Sequence, residues 1–398
     1  MSRLPIVAVI VLGCGGPIDG GEAPDGGTHP ADAAETSSGF ALTSEEGGLV
    51  YTAGLTVGMQ QFSVVVDTGS TTLGIAGSTC SNCGVTPEYT PGTGAVDQHT
   101  TSMATYGDDS MWSGENYSDK VAITGDSDAV TMDFAVMSSQ TNFFQQGEGD
   151  EGILGLAGSG LAITGTDSYI AKREPSQFSF QLCPDDGTLW LGVPPDSSHE
   201  SAAAQFSPMD TSEPYYMIDV TSASIGSASI GLTGAAVMDT GTSIMVLSTT
   251  VANKMIAAIK AGGYSTIFGT QTLSASASLE CLDPGAHTRA EIDAALPGLS
   301  VVLPKTGGGS FTVTVPPSLS YLMPVEGMYC FGVASVSGLP TILGDAFLRA
   351  FITTFDLQNK QIGLAPQAGC TLPLEARPDH PVQHKPWRIR GRHVPATD

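Results

Sequence analysis

Basic side chains are scarce in this chain. Fifteen Lys and Arg stand against 40 Asp and Glu over 398 residues, a formal charge of −25. That balance excludes a nucleic-acid surface, because phosphate binding relies on clustered Lys and Arg that release counterions. Tryptophan is scarcer still. Trp112, Trp190 and Trp387 are the only three, too few for the aromatic platforms expected of a glycosidase that works with paired carboxylates. Strong helix signals are also few. Val, Ile, Thr and Ser outnumber the residues that favour exposed helix, and 49 Gly with 25 Pro break the chain into short pieces. The composition is that of a folded, turn-rich, mostly β protein, long enough for about two or three cores.

The charge is uneven. From Glu375 onward Arg377, Lys385, Arg388, Arg390 and Arg392 outnumber Glu375, Asp379 and Asp398, so the body is more acidic than the total indicates. Such a body is either simply soluble or suited to an acidic setting, where protonation of carboxylates relieves self-repulsion.

Seven cysteines are an odd set. Cys14 follows "LPIVAVIVLG", an apolar run behind Arg3 that is too short to span a bilayer and has signal-peptide proportions. The ending "VLGC" looks like a bacterial lipobox, in which small residues before Cys permit cleavage and lipid attachment. Three readings stand: lipid anchoring through Cys14 at a bacterial cell envelope or surface, an ordinary secretory signal, or an uncleaved N-terminus. Membrane contact is expected through such an anchor alone. The other six cysteines are even in number, and in an exported chain disulfides are the default. "CSNC" at Cys80 and Cys83 also admits a redox pair or half a zinc site. It has no second CxxC or His cluster beside it, which favours a short surface disulfide.

Composition divides the chain. Residues 1–14 read as a signal segment ending at the lipobox Cys, and residues 15–39, rich in Gly, Pro, Ala and acids, as a flexible acidic linker. Residues 40–182 and 183–370 read as two β lobes, and the Pro-rich basic stretch 371–398 as a disordered tail. Within the second lobe "STTVANKMIAAIKAGG" is the clearest helix: Ser248 or Thr249 caps it, Val251, Met255, Ile256 and Ile259 share a face, and Gly262 with Gly263 ends it. "TRAEIDAALPG" is a second, shorter one.

An internal repeat organises these lobes. "VVVDTGSTTLGI" drives an apolar β-branched run into Asp67, and "AAVMDTGTSIMVL" does the same at Asp239. Each is followed downstream by Ile-Leu-Gly, first at Ile153–Gly155 and then at Ile342–Gly344. One Asp-Thr-Gly is a plausible turn with an Asx-type hydrogen bond. Two, in the same order with the same follower, indicate two similar lobes that each contribute a polar loop and a supporting strand. If the lobes pack about a pseudo-dyad, Asp67 and Asp239 meet on its axis, where two carboxylates cannot both ionise freely. One form then takes a proton from water while the other donates to a carbonyl oxygen. Gly69 and Gly241 let backbone amides approach, the Thr68 and Thr240 hydroxyls can bond across to the opposite loop, and Ser70 and Thr242 can bond the outer carboxylate oxygens. Nothing in this chemistry requires a metal or a cofactor.

The doubled constellation resembles the pepsin-like aspartic peptidase family over about Val50 to Pro366. The resemblance implies a bilobal fold with a pseudo-two-fold cleft, an aspartic endopeptidase activity, and an extended polypeptide as substrate. It implies that Asp67 and Asp239 are the catalytic pair and that water attacks the peptide carbonyl without an acyl-enzyme. A monomer is expected. "ATYGDDSMWSGENYSDKVAI" looks like the family's flap hairpin, with Tyr106 closing over substrate and Gly107 and Ser110 adding contacts. Asp108 holds a position where some fungal members also carry Asp, and is either a solvated turn residue or a partner for a substrate Lys. The resemblance also pairs Cys281 with Cys330, places Cys80 with Cys83 as a short N-lobe bridge, and matches Cys183 with Cys370.

Two departures stand out. Gly74 occupies the place where many members carry a Trp that hydrogen-bonds the flap Tyr, which leaves flap ordering open. The stretch before Phe40 is acidic, so no charge-paired pro-segment is implied. The alternative function is a catalytically silent binding or inhibitor module on the same scaffold.

Overall fold

The run Gln60–Asp67 lies parallel to Gly152–Gly155, with Val66 opposite Leu154 and Asp67 opposite Gly155. It does so in a computed structural model that describes residues 39–45, 47–144, 149–276, 279–325 and 327–370. Cys14, the acidic linker before Gly39 and the basic tail from Thr371 lie outside the described residues. Leu73–Ala76 returns antiparallel to Gly152–Gly155 and runs parallel to Val130–Thr141 on its other side. The second lobe repeats this pattern. Gly234–Met238 lies parallel to Ile342–Leu343, Met245–Val246 returns antiparallel to it, and Val333–Ala334 flanks Met245–Val246 in parallel.

The repeated motifs thus occupy matched places. In each lobe Ile-Leu-Gly is the strand under the Asp-Thr-Gly loop, and its glycine is the closest contact. A Cβ at Gly155 would strike the Thr71 backbone, and one at Gly344 would strike the Thr242 carbonyl. Central strands buried on both faces explain the uninterrupted apolar runs Val64–Val66 and Ala236–Met238, whose side chains are buried.

Six antiparallel strands of one continuous sheet join the lobes. Their order is Phe40–Glu45, Asp186–Leu191, Gln177–Leu182, Phe351–Asp356, Gln361–Pro366 and Gln205–Asp210. The two hairpins meet at the centre, where Ser179 opposes Thr354 in register and their hydroxyls lie 2.8 Å apart. Beside them the Phe178 and Phe355 rings stack with centroids 4.7 Å apart, a pairing worth about 0.5–1.5 kcal/mol beyond the area it buries. The hairpin Gln177–Leu191 spans the 182/183 boundary read from composition.

Helix is confined to short pieces. Thr249–Ala261 is capped by the Ser248 side chain and buries Val251, Ala252, Met255 and Ile259 against the second lobe; Ile256 is only half-buried. Arg289–Ala295 starts with a capping box between Thr288 and Glu291. Tyr169–Arg173, Tyr264–Phe268 and Asp345–Leu348 are single turns that no periodicity marks. The molecule contains the disulfides Cys80–Cys83, Cys183–Cys370 and Cys281–Cys330. Among the described residues no helix is long and apolar enough to cross a membrane.

Candidate active site

Each Asp-Thr-Gly loop holds its own carboxylate in the same way. The Gly69 N–H donates to Asp67 Oδ1 at 2.8 Å and the Ser70 hydroxyl to Oδ2 at 2.5 Å. The Gly241 N–H donates to Asp239 Oδ1 at 2.8 Å and the Thr242 hydroxyl to Oδ2 at 2.7 Å. The loops also hold each other. Thr68 Oγ1 donates to the Met238 carbonyl at 2.8 Å and accepts from the Thr240 N–H at 3.0 Å. Thr240 Oγ1 donates to the Val66 carbonyl at 2.9 Å and accepts from the Thr68 N–H at 3.2 Å. Two residues 172 apart in sequence therefore satisfy four buried backbone groups across the lobe junction.

The glycines face the opposite carboxylate. A Cβ on Gly69 would lie 2.6 Å from the Asp239 carboxylate carbon, and one on Gly241 would lie 2.2 Å from Asp67 Oδ1. Each loop packs so tightly against its counterpart's acid that no larger residue fits. This contact places the two carboxylates side by side.

Both are buried, Asp67 fully and Asp239 at 1% exposure. Burial pushes both carboxyls above the ordinary aspartate range, and the neighbouring charge of Asp239 pushes Asp67 further. The Ser70, Thr242 and glycine hydrogen bonds pull the other way. A pair raised in this manner keeps a proton that isolated aspartates would already have lost.

Tyr106–Ser110 forms the tip of the hairpin Val96–Thr105/Met111–Ile123. The Tyr106 N–H donates to the Ser110 carbonyl, the Asp109 N–H donates to the Tyr106 carbonyl, and Asp109 takes a left-handed conformation. Asp108 is half-buried and its Oδ1 accepts from the Ser110 N–H at 3.0 Å, so it shapes the turn. Asp109 is the exposed tip position and Gly107 is half-buried like Asp108, whereas Tyr106 and Ser110 are buried. The Tyr106 ring packs on Phe143 with centroids 5.5 Å apart. Asn116 is fully buried with its amide donating to Thr100 Oγ1.

Three further residues belong to the neighbourhood and escaped the sequence reading. Tyr215 is half-buried and is pushed up to about 12 by burial and then by the charges of Asp239, Glu213 and Asp67. Asp345 is buried, raised well above its ordinary range by burial and then by Asp239, and opposed by Arg349. Neither of its oxygens finds a hydrogen-bond donor among the described residues. The repeat itself holds the signal for Asp345: the first lobe reads Ile-Leu-Gly-Leu156 and the second Ile-Leu-Gly-Asp345. Trp112 is the third. Its Nε1 donates to Tyr106 Oη at 2.9 Å. No described cluster of His, Cys, Asp and Glu is arranged to hold a metal ion.

A duplicated β lobe with buried, mutually braced aspartates at the junction is the architecture of an aspartic peptidase. The family model described as eukaryotic aspartyl protease matches residues 50–367, and the chain belongs to that family as a pepsin-like aspartic endopeptidase. Among its relatives, an "Aspartic protease" of Phaffia rhodozyma is 28% identical over 336 residues, covering 81% of this chain and 78% of that protein. "Aspergillopepsin-1" of Aspergillus oryzae is 27% identical over 357 residues, 86% of this chain and 85% of that one. "Pepsin A" of Bos taurus is 28% identical over 336 residues, 80% and 83% respectively.

Proposed function

We propose that Asp67 and Asp239 share one proton and act as a unit on a water molecule to hydrolyse peptide bonds without a covalent intermediate. The observation that carries this reading is the crossed bracing of Thr68 and Thr240, which locks together the two loops that carry the buried carboxylates. The ionised carboxylate takes a proton from water as its oxygen attacks the scissile carbonyl. The protonated partner gives its proton to the carbonyl oxygen. Collapse of the tetrahedral diol then passes the proton taken from water to the departing amine, while a diol hydroxyl gives its proton to the other carboxylate as the carbonyl re-forms, so the pair is left with the one proton it began with. Pre-set hydrogen bonds from Gly69, Ser70, Gly241 and Thr242 keep the acids from reorganising during the step.

In this reading the substrate is an extended polypeptide under the Tyr106–Ser110 flap, and Asp108 receives a substrate Lys beside the cleaved bond. Both acids come from one chain, so a monomer suffices. The three disulfides accord with an oxidising compartment, and we assign export with lipid attachment at Cys14 on the lipobox sequence; intact mass of the mature protein tests that assignment.

Incubation of the purified protein with a denatured polypeptide from acidic to neutral pH, beside Asp67→Asn, tests the dyad. Cleavage by the parent and its loss in the variant are expected. Binding without Asp67-dependent cleavage would instead assign the silent binding module.

A further inference from the structure

Gly74 leaves a space on the strand Leu73–Ala76, and Trp112 fills it. A Cβ at Gly74 would lie 3.1 Å from Trp112 Cζ2 and 2.8 Å from Met137 Cε, so the indole sits directly over the glycine. Trp112 is almost fully buried yet belongs to the flap hairpin, opposite Ala104 in register. Its Nε1 donates to the Tyr106 hydroxyl at 2.9 Å. Tyr106 rests on Phe143, in the apolar cluster that also holds Val65, Met137 and Ile153. One side chain therefore links three things: the flap tyrosine, the stem of the flap, and the strand that leads out of the Asp67 loop.

We propose that Trp112 is the positioning residue for Tyr106, and that Gly74 serves as its seat: the indole carried by the flap, held over Gly74, fixes the tyrosine hydroxyl and ring that border the substrate. The proposal rests on the reading of Tyr106 as the flap residue over an extended peptide. The physical argument is one of pre-organisation. A buried Tyr hydroxyl needs a partner, and a rigid aromatic donor anchored on the body of the lobe supplies one while leaving the tip at Gly107–Asp109 to move. Flap opening at the tip then does not cost the tyrosine its orientation, whereas a flap whose stem lifted would have to break this bond and unseat the indole together. Because the seat lacks a side chain, a bulky residue at position 74 and the indole at position 112 exclude each other.

A double-mutant cycle with Trp112→Phe and Tyr106→Phe tests this, read as kcat/KM on a peptide substrate. Each single variant removes one end of the same hydrogen bond while keeping an aromatic ring, and each is expected to lower kcat/KM about tenfold, the scale of one buried hydrogen bond. The double variant is expected to be no worse than the poorer single one. Indole emission should also shift to the blue in Tyr106→Phe, as the Nε1–H loses its partner, and Trp112→Phe should remove that component. A merely structural Trp112 would add its loss to that of Tyr106→Phe, and multiplicative losses or an unchanged emission would overturn the proposal. Because Trp112→Phe also leaves a small void, Gly74→Trp combined with Trp112→Ala serves as the second arm: moving the indole to the body strand should recover activity relative to Trp112→Ala alone, and no recovery would count against the proposal. Asp67→Asn is run alongside. If it stays active, the dyad reading fails; if it is inactive while the cycle is additive, only the role of Trp112 fails.

Discussion

Thr68 and Thr240 each satisfy the backbone of the other's loop: the hydroxyl of one donates into the opposite strand and accepts the N–H of its counterpart, at 2.8 to 3.2 Å throughout. Neither threonine touches a carboxylate through these bonds. Their effect on the acids is indirect, since the loops they lock are the same loops whose glycines abut Asp67 and Asp239.

Thr240→Val keeps the shape of the side chain and removes the hydroxyl. The Val66 carbonyl and the Thr68 N–H then lose their partners in a dry interior, at a cost of about 1–3 kcal/mol each. A lower urea midpoint and a fall in kcat/KM are expected together, and Thr240→Ser should retain both. A valine variant with unchanged midpoint would show that the crossed bonds do not brace the junction.

Stability should depend on pH through the raised carboxyls. Asp67, Asp239 and Asp345 hold their protons more tightly in the folded chain than in the unfolded one. For such groups the stabilising contribution is complete below the ordinary aspartate value near pH 4 and is lost as pH rises through the folded values. The melting temperature is therefore expected to fall from acid toward neutral pH. Asp345→Asn removes one of the three, and among the described residues its oxygens have no donors to lose, so the fall should become shallower. An identical slope in parent and variant would contradict this assignment.

Asp108 is tested through selectivity. Its Oδ1 is engaged by the Ser110 N–H, and a substrate ammonium would be met by the remaining charge of the group. Asp108→Thr is expected to reduce cleavage after Lys, relative to cleavage after Phe, by about tenfold, the scale of a hydrogen bond to a charged group. An unchanged ratio would leave Asp108 as a turn residue only.

The amino-acid sequence by itself was enough to identify a mostly β chain, two related lobes, and the two loops that carry the acids. Those features are written in local pattern and in repetition: an apolar run that ends in Asp-Thr-Gly, twice, with Ile-Leu-Gly after each. The helix at Thr249–Ala261 was legible for the same reason, from a cap, an apolar face and a terminating glycine. Short turns such as Asp345–Leu348 were not, because a single turn has no periodicity to display. Gly74 read as a loss, an absent tryptophan that left the flap unexplained. Only the tertiary structure decided otherwise, since the indole that meets Tyr106 comes from position 112 on a different strand. The raised carboxyl of Asp345 was likewise a matter of surroundings, set by burial and then by Asp239 from a distant part of the chain, against the nearby Arg349. Sequence records which groups are present and how they recur; contacts between distant strands determine what each group faces, and desolvation and hydrogen bonding follow from that.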